Sequence, residues 1–190
     1  MRPVIFLDRD GVIDRKAPAG EYIRDWDGFA FLPGAIEALA RLSSPDGPAL
    51  VVVTNQRGIA RGHMSQGDVD RIHERMLGAL AEHGVSIDAV HVCPHEVGQC
   101  HCRKPEIGLF LEAMRRDPSL DRTRAAFVGD SLSDIQAGRA LGIPTYLVCE
   151  DEAPILGQAR QLGLEIAGVG ASLLELVESH AFDRLMAVAS

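Results

Sequence analysis

Two aspartates, Asp8 and Asp10, stand two residues apart directly after the apolar run Val4 to Leu7, with Gly11 following. Carboxylates so spaced could serve as nucleophile, as general acid and base, or as ligands for a hard cation. In isolation Asp-x-Asp-Gly after a strand is equally an Asp-Gly turn. Three further segments add complementary groups: Thr54 and Asn55 after Val51-Val52-Val53, Lys104 within Arg103-Lys104-Pro105, and Gly129-Asp130 with Asp134 after Ala125 to Val128. Taken singly, Thr54 could cap a turn, Lys104 could be solvated and Gly-Asp could open a helix. Together, four strand ends or loops supply acid, hydroxyl, cation and acid.

A second constellation lies between those loops. Cys93-Pro-His95 and Cys100-His101-Cys102 place four soft or imidazole ligands within ten residues, in Cys-x-His and Cys-x-Cys spacing. Three thiolates and one imidazole complete a tetrahedral set and leave no open position, so the pattern reads as a structural zinc site at Cys93, His95, Cys100 and Cys102. Free thiols or a disulfide are the alternatives, and His91 or His101 could replace His95. Cys149, in Tyr-Leu-Val-Cys, reads as a buried thiol.

These groups must be positioned by a scaffold. Val4 to Leu7, Leu50 to Val53, Ala89 to Val92, Ala125 to Val128 and Thr145 to Val148 read as strands buried on both faces. Helices are expected at Ala35 to Leu42, at Asp68 to His83 after a Ser65-x-x-Asp68 capping pattern, and at Asp134 to Leu141 after Ser131 and Ser133. The tail, Ala153 to Ala181, reads as sheet-covering helix. Repeated strand and helix imply an α/β fold with a doubly wound parallel sheet, whose ligand site lies at the C-terminal strand ends. No segment between Gly11, Thr54 and Lys104 is long enough for a large cap domain. The 190 residues suit a single domain spanning the whole chain.

Composition narrows the partners. With 46% hydrophobic and 24% charged residues the chain has soluble character, and it contains no apolar run long enough for a membrane span. The net charge of -8 opposes nucleic-acid binding, which needs a basic stripe. Local cations can still hold a small anion. The expectation is a cytoplasmic monomer.

Asp8-x-Asp10-Gly11, Thr54, Lys104 and Gly129-Asp130-x-x-x-Asp134 together resemble the motifs of the haloacid dehalogenase (HAD) superfamily of phosphatases. That resemblance implies that Asp8 attacks phosphorus to form an aspartyl phosphate, with Asp10 as general acid and then base. Magnesium would be held by Asp8, the Asp10 backbone carbonyl and Asp130, while Thr54 and Lys104 clamp the phosphate. The chemistry demands such a set. A carboxylate approaching a phosphate dianion is repelled unless a hard cation and an ammonium neutralise the charge. Asp134, one helical turn beyond Asp130, either holds a metal-bound water or caps the helix, and is expected just outside the metal ligands.

Phe-Leu-Asp-Arg-Asp-Gly, Val-Thr-Asn-Gln-x-Gly-Ile-Ala-Arg-Gly, Cys-Pro-His and Cys-x-Cys-Arg-Lys-Pro further resemble the D-glycero-D-manno-heptose 1,7-bisphosphate 7-phosphatase branch. The implied substrate is a small sugar bisphosphate. Arg103 would recognise the phosphate at carbon 1, with Thr54, Asn55, Gln56 and Arg57 lining the sugar. Arg57 stands where that branch often has a small residue, and either contacts phosphate or is a solvated loop arginine. Histidinol-phosphate phosphatases share the nucleophile and Cys-Arg-Lys-Pro, and polynucleotide 3′-phosphatases share Thr-Asn-Gln-x-Gly-Ile. A phosphoryl-accepting module or a binding module without turnover is the reading from another class.

Overall fold

In the computed structural model, which describes residues 1–44 and 46–186, six parallel strands form one sheet. In chain order they are β1 (Arg2–Leu7), β2 (Ala49–Asn55), β3 (Ala89–Cys93), β4 (Leu120–Gly129), β5 (Thr145–Val148) and β6 (Gly168–Gly170). Across the sheet the order is β3-β2-β1-β4-β5-β6. The chain therefore winds outward from β1 to β3, returns to β4 on the other side of β1, and winds outward again. This is the doubly wound arrangement, and its switch point lies between β1 and β4.

Alternation along the strands divides the core into two faces. Ile5, Leu7, Leu50, Val52, Ala126 and Val128 pack with α1 (Ala35–Leu42) and α2 (Gln66–Glu82), through Ala38, Leu39, Ile72, Met76 and Leu80. Val4, Phe6, Val51, Val53, Ala125 and Phe127 face the other way, onto α3 (Gly108–Arg116) and α4 (Leu132–Leu141). Both faces are dry, which is why β1 and β2 read as unbroken apolar runs rather than as alternating ones. The sheet continues through α5 (Ala153–Gln161), β6 and α6 (Leu173–Glu178), and a short α7 (Asp183–Met186) ends the described chain.

The helix starts follow their caps. Ser65 accepts from the Asp68 amide while Asp68 accepts from Ser65, so α2 begins at Gln66 rather than at Asp68. Ser131 and Asp134 form the same reciprocal pair, so α4 begins at Leu132. Three elements escape the sequence reading, among them the short α7 (Asp183–Met186), which lies past the expected tail helix. Helix α3 opens after Ile107 with no side-chain cap, so it carries no start signal. Strand β6, only Gly-Val-Gly, lies in the tail expected to be helical, and three residues are too few to show a period.

Between β1 and α1 the chain forms no inserted cap domain. It makes turns and the isolated bridges Asp10 to Asp14 and Asp14 to Phe31, steadied by the stacked Trp26 and Phe29 rings at 4.7 Å. No helix among the described residues is long and apolar enough to cross a membrane.

Candidate active site

Asp8, Asp10, Lys104 and Asp130 line one cavity of about 310 Å³ at the C-terminal edge of the sheet, with Asn55, Gln56, Arg103 and the loop Lys16 to Ile23. The site falls at the switch point: the Asp8 amide donates to Val128 of β4 at 2.9 Å, tying the two strand ends together. One Asp8 carboxylate oxygen accepts from the Arg9 amide at 2.8 Å, and the other pairs with Lys104 Nζ at 2.9 Å. Burial, opposed by Lys104, pushes the Asp8 carboxyl up to about 7, with Asp134 and Asp130 adding repulsion. A cation there would return it to the ionised state.

Lys104 is the hub of that charge. Its ammonium is buried between Asp8 and Asp134, at 2.9 and 2.8 Å, and lies 5.3 Å from the Phe127 ring centroid. Burial works against its charge, but Asp134 and Asp8 prevail and hold it protonated. Asp134 spends its other oxygen on the helix start, accepting from the Asp130 amide at 3.2 Å, the Ser131 amide at 3.1 Å and the Ser131 hydroxyl at 2.5 Å. Both its oxygens are thus engaged, one orienting Lys104 and one capping α4.

Asp10 is held from two sides. Gln56 Nε2 donates to one oxygen at 2.8 Å, with the Thr54 hydroxyl at 3.4 Å, and Arg9 Nη2 donates to the other at 2.8 Å. Burial would raise its pKa, yet the Arg9 guanidinium and the Gln56 amide hold it below the usual carboxylate range. Thr54 is fully buried and its hydroxyl is aimed at Asp10 rather than at the cavity.

Arg9 was not anticipated. It is wholly buried, Nη1 meets His73 Nε2 at 3.2 Å, and Nε lies 3.5 Å from Asp14 Oδ2. Asp14 is also wholly buried, and burial together with Asp10 pushes its carboxyl up to about 8. Asp10 and Asp14 are thus both in reach of one guanidinium, Asp10 held low by it and Asp14 pushed up by burial. A readable signal existed: an arginine set between two strand-end aspartates, with a third four residues on, has few solvated alternatives.

Asn55 lines the cavity and also ties the lysine loop to β2, whereas Arg57 is engaged outside the cavity. Asn55 Nδ2 donates to the Lys104 carbonyl and its Oδ1 accepts from the Lys104 amide, each at 3.1 Å, clasping β2 to the lysine loop. Arg57 is not among the residues lining the cavity. It pairs with Glu96 at 3.3 Å, alongside Arg61 at 2.6 Å, which fastens the β2 loop to the cysteine loop. Arg103 does line the cavity, and its buried Nη1 has no hydrogen-bond partner among the described residues.

The cysteine loop folds its four candidate ligands together. Cys93, Cys100 and Cys102 sulfurs lie 3.2 to 3.6 Å apart, and His95 Nδ1 lies 3.7 Å from Cys93 and 3.3 Å from Cys102. Tetrahedral zinc with sulfur at about 2.3 Å has edges of about 3.8 Å, so this cage needs only a slight expansion to fit. His101 and His91 stand outside the group. The Arg103 amide donates to Cys100 Sγ at 3.3 Å, linking the cage to the residue next to Lys104. The second cluster, Asp8, Asp130 and Asp134, brings three carboxylate oxygens within 4.8 Å of one another. Its hard oxygen donors and mutual repulsion suit a divalent cation such as magnesium.

Comparison with known proteins agrees with this geometry. Residues 101–154 match a family model described as HAD-hydrolase-like. The chain is 49% identical over 133 residues to a D-glycero-alpha-D-manno-heptose-1,7-bisphosphate 7-phosphatase of Mycobacterium bovis, covering 70% of this chain and 69% of the relative. It is 38% identical over 167 residues to the D-glycero-beta-D-manno-heptose-1,7-bisphosphate 7-phosphatase of Photorhabdus laumondii, covering 84% and 86%. Among solved structures, the D,D-heptose 1,7-bisphosphate phosphatase from B. bronchiseptica, complexed with magnesium and phosphate, superposes with a TM-score of 0.83 at 34% identity over 95% of this chain and 99% of that one.

Proposed function

The chain belongs to the D-glycero-D-manno-heptose-1,7-bisphosphate 7-phosphatases of the HAD superfamily, and from that premise we propose that it hydrolyses the 7-phosphate of the heptose bisphosphate to leave heptose 1-phosphate. It is a phosphoric monoester hydrolase. The observation that carries the substrate-level reading is the buried Lys104 ammonium bridging Asp8 and Asp134 at the floor of a cavity that also holds Asp10 and Arg103.

In this reading an Asp8 oxygen attacks phosphorus, the bond from phosphorus to the sugar oxygen breaks, and the phosphoryl group passes to Asp8. Lys104 steadies the phosphoryl oxygens. Asp10 gives a proton to the departing sugar oxygen, and then takes one from the water that attacks the aspartyl phosphate. Arg9 and Gln56 fix the Asp10 carboxylate for both steps, and the arriving phosphate dianion raises its proton affinity before the first. Asp8, the Asp10 backbone carbonyl and Asp130 would hold magnesium, whose charge lets a carboxylate approach a phosphate dianion. Cys93, His95, Cys100 and Cys102 would hold a structural zinc that stiffens the loop carrying Arg103 and Lys104.

Arg103, with an unpartnered buried Nη1, suits the phosphate at carbon 1 through paired donors. The relatives divide between α- and β-anomer names, yet both names specify the ester at carbon 7. The anomer is therefore read at the far end of the sugar from Asp8.

The test is phosphate release with magnesium from both heptose 1,7-bisphosphate anomers, histidinol phosphate and a 3′-phosphorylated oligonucleotide. A heptose preference of about a hundredfold in kcat/KM, worth about 2.7 kcal/mol of transition-state discrimination, is expected. A preference for histidinol phosphate would move the substrate assignment while leaving the mechanism. No turnover of any ester would overturn the catalytic reading.

A further inference from the structure

Lys16 is a cation the reaction scheme leaves unused. Its Nζ lies 2.7 Å from Asp130 Oδ2, although the two residues are 114 positions apart, and it lines the same cavity as Asp8 and Asp10. The two partners differ in freedom. The Asp130 side chain is 12% exposed and that of Lys16 is 57% exposed. The Asp130 carboxylate also presses on the backbone at Gly11, where a Cβ would come within 2.2 Å of Oδ2. The carboxylate is seated, and the ammonium has come to it on a flexible four-carbon stem.

Asp130 belongs to the cluster of three carboxylates suited to a divalent cation. One carboxylate oxygen does not serve a dication and a mobile ammonium together, so a cation that takes Oδ2 displaces Lys16 from it. The displaced ammonium remains tethered to the wall of the cavity, in the segment Lys16 to Ile23, where an anionic substrate enters. We propose that Lys16 is a substrate-positioning residue that Asp130 holds in the metal-free protein: a divalent cation releases it, and it then pairs with the substrate's second, unhydrolysed phosphate. This rests on the phosphatase reading above and adds a coupling between metal loading and substrate recognition.

Magnesium titration into substrate-free protein by calorimetry separates the two ideas. Lys16→Met should bind magnesium about tenfold more tightly than the parent, because the internal competitor is gone, while Lys16→Arg stays near the parent value. At saturating magnesium, Lys16→Met should raise KM for the heptose bisphosphate about tenfold with kcat within about twofold, and leave KM for p-nitrophenyl phosphate, which has no second phosphate, unchanged. Unchanged magnesium affinity in Lys16→Met, or an equal rise in KM for both esters, overturns the proposal. An Asp130→Asn control that still binds magnesium like the parent overturns the metal assignment itself, and the proposal with it. Loss of binding in that control beside an unaltered Lys16→Met affinity overturns the proposal alone.

Discussion

Arg9 Nη2 sits 2.8 Å from Asp10 Oδ1, and the guanidinium that makes this contact has no exposure to solvent. The residue between the two site aspartates is thus an interior cation. Burial works against its charge, and Asp10 followed by Asp14 keeps it protonated. A guanidinium in that position holds one Asp10 oxygen through Nη2 while its Nη1 is taken by His73, so it orients the carboxylate and supplies the buried countercharge.

Arg9→Leu should therefore unfold the protein or cost about 3 to 5 kcal/mol, since it leaves buried carboxylates without their cation. Arg9→Lys keeps the charge but loses the fork. It should fold, with kcat reduced about tenfold or more as Asp10 loses its orientation. Urea unfolding and steady-state phosphate release measure the two effects. A fully active Arg9→Lys would remove Arg9 from the positioning of Asp10.

Asn55→Ala breaks two hydrogen bonds to the Lys104 backbone. It should cost about 1 to 3 kcal/mol of stability, and should lower kcat more than it raises KM, because the displaced ammonium serves the reacting phosphoryl group. Asn55→Asp, which retains the acceptor for the Lys104 amide, should lie between. A change confined to KM would instead place Asn55 against the sugar.

His73 gives stability a pH dependence of definite sign. Burial, followed by the neighbouring Arg9, lowers its pKa from 6.5 to about 4. The unfolded imidazole takes a proton below about 6.5 and the folded one only near 4. Stability is therefore fully present above about pH 6.5 and falls as pH drops toward 4, by up to about 3 kcal/mol. Urea midpoints at pH 7 and pH 4.5 should converge less in the parent than in His73→Gln, whose acid loss is smaller by that share. Equal acid losses in the two proteins would show that His73 is not responsible.

Zinc analysis of protein purified without chelator should find about one equivalent, and Cys100→Ser should lose it. Removal should lower both the melting temperature and kcat, through the Cys100 contact to the Arg103 amide that precedes Lys104. Zinc-free protein with undiminished activity would detach the cage from the site.

Most of the fold was legible because the sheet is buried on both faces. Val4 to Leu7 and Leu50 to Val53 are short apolar runs rich in β-branched residues that read as buried strands, and the reciprocal pairs Ser65 with Asp68 and Ser131 with Asp134 marked their helices to within two residues. The elements that escaped, α3, β6 and α7, have no side-chain cap or are too short to show a period. The site behaved likewise. Asp8, Asp10, Lys104, Asp130 and Asp134 gather because each follows a strand or lies in a loop at one edge, and the cysteine cage because its residues are near neighbours in sequence.

The sequence by itself thus determined which residue types reach the C-terminal edge of the sheet, since strand periodicity and ligand spacing are local properties. Only the tertiary structure decided how those residues are held. Arg9 finds His73 across 64 positions, Asn55 finds Lys104 across 49, Arg57 finds Glu96 across 39, and Lys16 finds Asp130 across 114. No local pattern encodes such pairs. They form because closing the sheet brings distant segments to one edge, where buried groups such as Arg9 must find partners and exposed ones such as Lys16 come within reach of them.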